Sequence, residues 1–331
     1  MKETNIRTAQ TAIKKIGRGR VYDDISQIIG STPLIRLSRL MKEEDCVAEI
    51  LAKIEYVNPA GSVKDRPAMA MIEDAIANGL IGPHTEIVEA TSGNNGVACA
   101  WASAMRGIPI TICMPEHMSI ERRRLLKLYG ATVVLTPKEL GTKGAIDKAA
   151  ELQAANPNMI QLGQFENVAN PNAHMCGTAE EIWTDTAGNL DYFVAGIGTG
   201  GTFTGVTKCL KERLPGLKGI AVEPASCPVL SQGRSGVHKL QGLSSGHIPD
   251  VLEKNLIDEI ITVENEEAIA MARRLARLEG TAVGISSGAA AVACVRLAKR
   301  PELAGKRIVT IFADGASRYF STEIFEGFDA D

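Results

Sequence analysis

The stretch best suited to chemistry is Asn58-Pro59-Ala60-Gly61-Ser62-Val63-Lys64-Asp65-Arg66. An apolar run, Leu51 to Val57, leads into it and reads as a buried strand, and the helical pattern Pro67 to Ile72 leads out. Lys64 therefore falls at or near a helix N-terminus, where the positive end of the helix dipole disfavours a cation. A lysine there gives up its proton more readily, and a partly apolar pocket pushes the same way. A neutral amine is what Schiff-base chemistry with a carbonyl cofactor needs. The competing reading of the same residue is a phosphate-binding or solvated lysine in a strand-to-helix loop.

Four further constellations accompany it. Thr91-Ser92-Gly93-Asn94-Asn95-Gly96 follows a strand and opens the apolar helix Val97 to Met105. Its hydroxyls and backbone amides suit a carboxylate, and the same residue types suit an ordinary helix cap. Gly198-Thr199-Gly200-Gly201-Thr202 follows the strand Tyr192-Ile197. Glycines there let several N–H groups point at one oxyanion, so a phosphate monoester is the natural guest. No lysine follows in the spacing of a nucleotide-binding P-loop. Gly196-x-Gly198-x-x-Gly201 also satisfies the dinucleotide fingerprint, with Glu223 placed where a ribose-binding acid would sit. A nicotinamide-dependent oxidoreductase is therefore the alternative at this point. Gly284-Ile285-Ser286-Ser287-Gly288-Ala289-Ala290 reads as a strand-to-helix turn, in which Ser286 or Ser287 caps the helix or donates to a ring nitrogen. Ala313-Asp314-Gly315-Ala316-Ser317-Arg318-Tyr319 closes the last strand.

The elements that position these residues alternate. Strands are expected at Leu34-Leu37, Ala48-Val57, Glu86-Glu89, Ile108-Met114, Thr132-Leu135, Tyr192-Ile197, Gly219-Val222, Glu259-Val263 and Arg307-Phe312. Helices are expected at Ser119-Tyr129, Gly144-Ala155, Gly177-Thr186, Glu266-Glu279 and Gly288-Lys299. That alternation means mostly parallel sheet, which places ligands beyond the carboxyl ends of its strands. The polar segment Gln164 to Pro171 sits mid-chain and can join two α/β layers. Glu121-Arg122-Arg123-Arg124 reads as a solvated charged face. Residues 1–20 read as an arm ending in Gly-Arg-Gly-Arg.

Composition excludes several classes. A formal charge of −3 argues against nucleic-acid and membrane-surface partners. The seven cysteines are scattered without C-x-x-C spacing, as in a reducing cytosol, and the five histidines show no metal-ligand spacing. No run of about 18 apolar residues suggests a membrane span, and the polar N-terminus lacks a secretory core.

The pieces occur together and in order in one family. The chain resembles the cysteine synthase family, the O-acetylserine sulfhydrylases, among the tryptophan-synthase-β-like enzymes that use pyridoxal 5'-phosphate (PLP). The matching stretches are Ile29-Gly30-Ser31-Thr32-Pro33-Leu34, Asn58 to Arg66, Glu89 to Gly96, Met114 to Arg123, Gln164 to Pro171, Gly198 to Thr202, Gln241-Gly242 and Gly284 to Ala290. The resemblance implies an α/β fold of two domains with mostly parallel sheets, that of a fold type II PLP enzyme. A large domain would combine residues 21–57 with 167–331, and a small one, 58–166, would carry a mobile carboxylate-binding part including the charged segment.

The resemblance also implies roles. Lys64 would hold the cofactor as a Schiff base and serve as acid and base at Cα. Asn94 would bond the ring hydroxyl. Gly198, Thr199, Gly200, Gly201 and Thr202 would hold the phosphate, and Ser286 the pyridine nitrogen. Thr91, Ser92, Gly93, Asn95 and Gln164 would bind the substrate carboxylate, and Gly242 would line the amino-acid pocket. The reaction would be β-replacement through an aminoacrylate, making cysteine from O-acetylserine and sulfide. Related outcomes are cystathionine or lanthionine formation, sulfide release from cysteine, and O-phosphoserine as donor. A homodimer in the cytoplasm is the family expectation. Two departures bear on the substrate: Asn95 stands where the family usually has threonine, and Gly315-Ala316-Ser317-Arg318-Tyr319 replaces a motif closer to Ser-Gly-Glu-Arg-Tyr.

Overall fold

The computed structural model describes residues 19–328, apart from 92, 118 and 119. The expected arm therefore lies almost wholly outside the described residues. The first elements are β1 (Leu34–Arg36), α1 (Ser38–Glu43), β2 (Glu49–Ile54) and α2 (Asp65–Ala77). Then follow β3 (Glu86–Ala90), α3 (Asn94–Arg106), β4 (Ile110–Pro115), α4 (Ile120–Leu128), β5 (Thr132–Thr136), α5 (Gly141–Ala155) and β6 (Met159–Ile160). The chain continues through α6 (Ala169–Ala173), α7 (Ala179–Thr186), β7 (Tyr192–Gly196), α8 (Gly201–Arg213), β8 (Lys218–Pro224) and α9 (Val229–Gln232). It ends with β9 (Glu259–Val263), α10 (Asn265–Glu279), α11 (Ile285–Ala298) and β10 (Arg307–Phe312).

These strands form two sheets. The first has six strands in the order β1-β2-β10-β7-β8-β9, and the second four, β5-β4-β3-β6. Among the described strands only β1–β2 pair antiparallel, and the other strand pairs are parallel. The alternating pattern thus gives the mostly parallel α/β architecture it implied.

The strands of the first sheet are mainly apolar between their ends because helices cover both faces. Along β7, Phe193 and Ala195 pack with Phe203, Val206 and Leu210 of α8, whereas Val194 points the other way, toward Leu275 of α10 and Val292 of α11. β10 divides in the same manner, Val309 and Ile311 to one core and Ile308 and Phe312 to the other. In the second sheet Ile87 and Ile112 meet Met71, Ile72 and Val97, while Val88 and Cys113 face Ala145 and Ala149 of α5. Each large side chain so buried contributes about 1.5–3 kcal/mol, which fixes the strand ends that carry the site.

Three expectations need correction. The apolar run Leu51 to Val57 is not one strand: β2 stops at Ile54, and Glu55–Val57 turn as a 3-10 helix. The segment before Ser286 is not a strand either, since Val283 makes only an isolated bridge with Gly315. The run Arg122 to Arg124 is only in part a solvated face, because Arg122 and Arg123 are half-buried. All seven cysteines are free thiols. Among the described residues no group of ligating side chains is placed to hold a metal ion, and no helix is long and apolar enough to cross a membrane.

Candidate active site

Lys64 is the N-cap residue of α2, beyond the carboxyl end of β2. The start of α2 is anchored from beneath by charge. Arg66 donates Nε to Glu55 Oε2 (2.7 Å) and Nη1 to Glu181 Oε1 (2.8 Å), and Lys53 Nζ reaches Glu181 Oε2 at 2.8 Å. Asp65, also buried, accepts from Ala60 N–H at 2.5 Å, and burial pushes its carboxyl up to about 7. Removing one partner from such a buried pair costs about 3–5 kcal/mol. The backbone at Lys64 is therefore held by groups that take no part in the cleft above it.

The Lys64 side chain opens on a cleft of about 80 Å³ that it shares with Asn94, Gly198, Thr199, Gly200, Thr202, Gly242 and Ser286. Withdrawal from bulk water pushes its amine down to about 8, opposed by the nearby Cys99 thiol. Its Nζ lies 3.5 Å from Thr199 Oγ1. A larger cavity of about 750 Å³ lies along β1, but it holds none of the residues expected to bind cofactor or substrate. Chemistry, not size, locates the site. The cleft adjoins a second cavity of about 450 Å³ through Asn94, Gln241, Gly242 and Tyr319. Gly93, His117, Arg122 and Arg318 line that outer cavity.

The glycine loop forms a cradle that side chains would fill. Gly200 has φ +84°, and a Cβ on it would stand 2.8 Å from Leu252 Cβ; a Cβ on Gly198 would collide with the carbonyl of Gly242. Gly201, Thr202 and Phe203 open α8, so their N–H groups have no acceptor within the helix, and that of Gly201 makes only a long bond, 3.4 Å, to Thr199 Oγ1. Two threonine hydroxyls, those of Thr199 and Thr202, stand beside these amides. N–H groups at a helix start, a left-handed φ that favours glycine and flanking hydroxyls are what a phosphate requires. The dinucleotide alternative loses its acid. Glu223 is buried and accepts from Leu230 N–H (2.7 Å), Ser231 N–H (3.0 Å) and the Ser231 hydroxyl, so it is consumed in holding α9.

The two serines of the α11 turn separate clearly. Ser287 is fully buried and its Oγ accepts from Ala313 N–H at 3.0 Å, a structural bond. Ser286, in the first turn of α11, lines the cleft. Gly284, not a serine, is the N-cap.

Asn94 has more partners than its sequence position suggested. Its Nδ2 donates to Asp314 Oδ2 at 2.6 Å, and its Oδ1 accepts from Arg318 Nη1 at 2.9 Å. Tyr319 Oη donates to the same Asp314 oxygen at 2.6 Å, and Arg318 also donates to the carbonyl of Ala60. Asp314 is 1% exposed, and burial raises its carboxyl against the pull of Tyr319 and Asn94. One amide hydrogen of Asn94 is left to face the cleft. Sequence reasoning missed Asp314 and Arg318 as partners of Asn94. The one available signal was that the terminal motif departs from the family pattern.

The residues expected to take a carboxylate are only partly brought together. Gly93 faces the outer cavity, while Thr91, Asn95 and Gln164 are buried outside the lining of either cavity. Ser92 lies outside the described residues. Both amide atoms of Asn95 and the Oε1 of Gln164 are buried with no hydrogen-bond partner among the described residues. Unpaired polar atoms at such depth are costly and uncommon.

Comparison with known proteins agrees with this geometry. The family model for pyridoxal-phosphate dependent enzymes matches residues 25–314. Cysteine synthase B of Campylobacter jejuni is 47% identical over 306 residues, covering 92% of this chain and 99% of that protein. Cysteine synthase A of Escherichia coli is 46% identical over 319 residues, covering 92% and 96%. The crystal structure of a cysteine synthase from Entamoeba histolytica superposes with a TM-score of 0.92 at 40% identity, covering 96% of this chain and 94% of that one. The chain belongs to the cysteine synthase family of pyridoxal-phosphate-dependent enzymes.

Proposed function

We propose that this enzyme makes cysteine by β-replacement on O-acetyl-L-serine with sulfide. The observation that carries the reading is Lys64: an amine pushed down to about 8, at the start of a helix, facing a glycine cradle across a shared cleft. Pyridoxal phosphate supplies the electron sink that lets a Cα proton and a β-substituent leave an amino acid.

The residues divide the remaining work. Lys64 would hold the cofactor at its carbonyl carbon, and its amine, when free, is the base placed to take a proton from the substrate's Cα. A pKa near neutrality suits both tasks. Gly198, Thr199, Gly200, Gly201 and Thr202 hold the phosphate. Asn94, oriented by Asp314 and Arg318, turns its remaining N–H to the ring hydroxyl. Ser286 would hydrogen-bond the ring nitrogen, and a hydroxyl there, unlike a carboxylate, does not keep that nitrogen protonated. Thr91, Ser92, Gly93, Asn95 and Gln164 bind the substrate carboxylate, and Gly242 lines the amino-acid pocket.

The proposal extends to organisation. Residues 21–57 with 167–331 form the cofactor-binding unit, and residues 58–166 form the unit that closes on the carboxylate. The separation of the two sheets between these ranges supports that division. We place the protein in the cytoplasm as a homodimer, in keeping with its family. The test is an assay of the yellow, cofactor-loaded protein with acetylserine or phosphoserine as donor and sulfide, homocysteine or cysteine as partner. Cysteine formed fastest from acetylserine and sulfide is the expected result. Preference for another pair moves the enzyme to the cystathionine, lanthionine, sulfide-releasing or phosphoserine-using reaction, and a colourless protein that binds reduced nicotinamide overturns the reading.

A further inference from the structure

Behind the glycine loop runs the helical segment from Ala169 to Thr186, interrupted at His174–Thr178 by a π turn. A π turn widens the helix locally and often marks a functional position. Asn170 and His174, four residues apart, share one helix face and are each 1% exposed. The start of α8 lies directly against them. A Cβ on Gly201 would collide with the Asn170 amide, and one on Gly205 would collide with the carbonyl of Pro171 and stand 2.9 Å from His174 Cβ.

The hydrogen bonds across this contact have a direction. Asn170 Nδ2 donates to the carbonyl of Gln164 (2.7 Å) and to Thr199 Oγ1 (3.0 Å). A carbonyl only accepts, so Gln164 fixes which end of the amide is nitrogen, and both of its hydrogens are used. Thr199 Oγ1 thus accepts from Asn170 and, at 3.4 Å, from Gly201 N–H, and its own proton is left for another partner. His174 lies 3.2 Å through Nε2 from Thr202 Oγ1 and 2.9 Å through Nδ1 from Thr178 Oγ1. Burial, helped by the cations of Arg66 and Lys64 and opposed by Glu181, holds the imidazole neutral. A neutral imidazole has one donor and one acceptor. If Nδ1 carries the proton, Thr202 spends its hydroxyl hydrogen on the ring and turns lone pairs to the loop. If Nε2 carries it, Thr178 donates to Nδ1, and the Thr202 proton faces the loop. An oxyanion in the cradle is repelled by the first arrangement and bonded by the second.

We propose that Asn170 and His174 are positioning residues that make Thr199 and Thr202 into donors, His174 through its Nε2–H, so that both hydroxyl protons point at the cofactor's phosphate. The inference rests on the reading of this loop as the phosphate holder. The π turn is what brings the His174 ring to Thr202 while Asn170 remains on Thr199.

The test combines a tautomer measurement with a comparison of two ligands. The ¹⁵N shifts of His174 in the histidine-labelled holoenzyme should show a proton on Nε2 and none on Nδ1; the reverse assignment overturns the proposal. Glutamine can present an N–H near the position of Nε2, whereas asparagine is too short to reach Thr202. His174→Asn should therefore weaken pyridoxal phosphate binding about ten- to a hundredfold, the value of a misdirected bond to a charged group. His174→Gln should restore most of that loss, and neither change should alter binding of pyridoxal, which lacks the phosphate. An equal loss for both ligands makes His174 merely structural and overturns the proposal. Thr202→Val separates this failure from failure of the underlying reading. If Thr202→Val weakens pyridoxal phosphate selectively and His174→Asn does not, the loop holds phosphate and the inference is wrong. If Thr202→Val has no selective effect, the loop is not the phosphate holder. Should His174→Asn not fold by thermal melting, the tautomer and His174→Gln decide.

Discussion

Asn95→Thr is the most informative substitution in the carboxylate site, because it restores the residue usual in the family and has separable effects on stability and specificity. Asn95 is 3% exposed, and neither Nδ2 nor Oδ1 has a partner among the described residues. Each buried unpaired group costs about 1–3 kcal/mol. Threonine replaces two such groups by one hydroxyl on a shorter arm. A gain of about 1 kcal/mol in the ligand-free enzyme would raise the melting temperature by roughly 1–2 °C, at ~2.1 cal/mol/K per residue for a chain of this size. In the complex the balance reverses. A donor that meets a carboxylate is worth about 1.5–3 kcal/mol, and no described group fixes which end of the Asn95 amide faces inward. Nδ2 can therefore turn to the substrate, deeper than a threonine hydroxyl would reach, and so shift the β-substituent. Misplacing that bond should change the ratio of specificity constants for acetylserine and phosphoserine by about ten- to a hundredfold. The assays are steady-state kinetics with both donors and a thermal melt of the same preparations. A ratio that moves less than about twofold, whatever the melt shows, makes Asn95 a passive helix-start residue and refutes the tuning role.

Three other outcomes follow from the same structure. Ser286→Asp should protonate the ring nitrogen and slow net β-replacement; unchanged kcat would remove Ser286 from that position. Asp314→Ala leaves the Tyr319 hydroxyl and the Asn94 amide without their shared acceptor, so it should cost about 1–3 kcal/mol in denaturant unfolding and loosen the cofactor; a neutral effect would mean that Asn94 is oriented by Arg318 alone. Glu89 accepts from Leu162 N–H at 2.6 Å, and burial pushes its carboxyl from 4.5 up to about 7. The unfolded chain ionises it first, so stability is lost as pH rises through that window, by up to about 3 kcal/mol. Glu89→Gln should gain on the wild type between those pH values and run parallel to it below them; a constant offset would show that Glu89 is not buried protonated.

What the sequence made legible was local. The β-branched runs of β4 and β10, the apolar run of β7 and the glycine-hydroxyl turns after β3 and β7 are written in neighbouring residues, and they lie where periodicity and turn chemistry put them. What it hid depends on residues far apart. Met159–Ile160 is too short for an alternating pattern, and exists as β6 because Glu86 and Ile87 pair with it. The turn at Gly284 read as strand-to-helix, yet the residue before it, Val283, makes only an isolated bridge with Gly315. The orientation of Asn94 is set by Asp314 and Arg318, more than two hundred positions away. His174 carried no motif, and Asn170 stood only as one polar residue of the Gln164 to Pro171 stretch. Their importance arises from a π turn and from glycines on α8 that admit close packing. Ser286 and Ser287 were equivalent by residue type; the resemblance implied Ser286, and the bond from Ala313 shows that Ser287 is structural.

The central claim is that Lys64 carries pyridoxal phosphate in the working enzyme. Borohydride reduction of the purified holoenzyme, followed by peptide mass mapping, tests it most directly. The account predicts one pyridoxyl-phosphate adduct, on the peptide containing Lys64, with loss of the visible absorbance and of cysteine synthesis in the same step. An adduct on another lysine, or none while cysteine synthesis survives reduction, would contradict it.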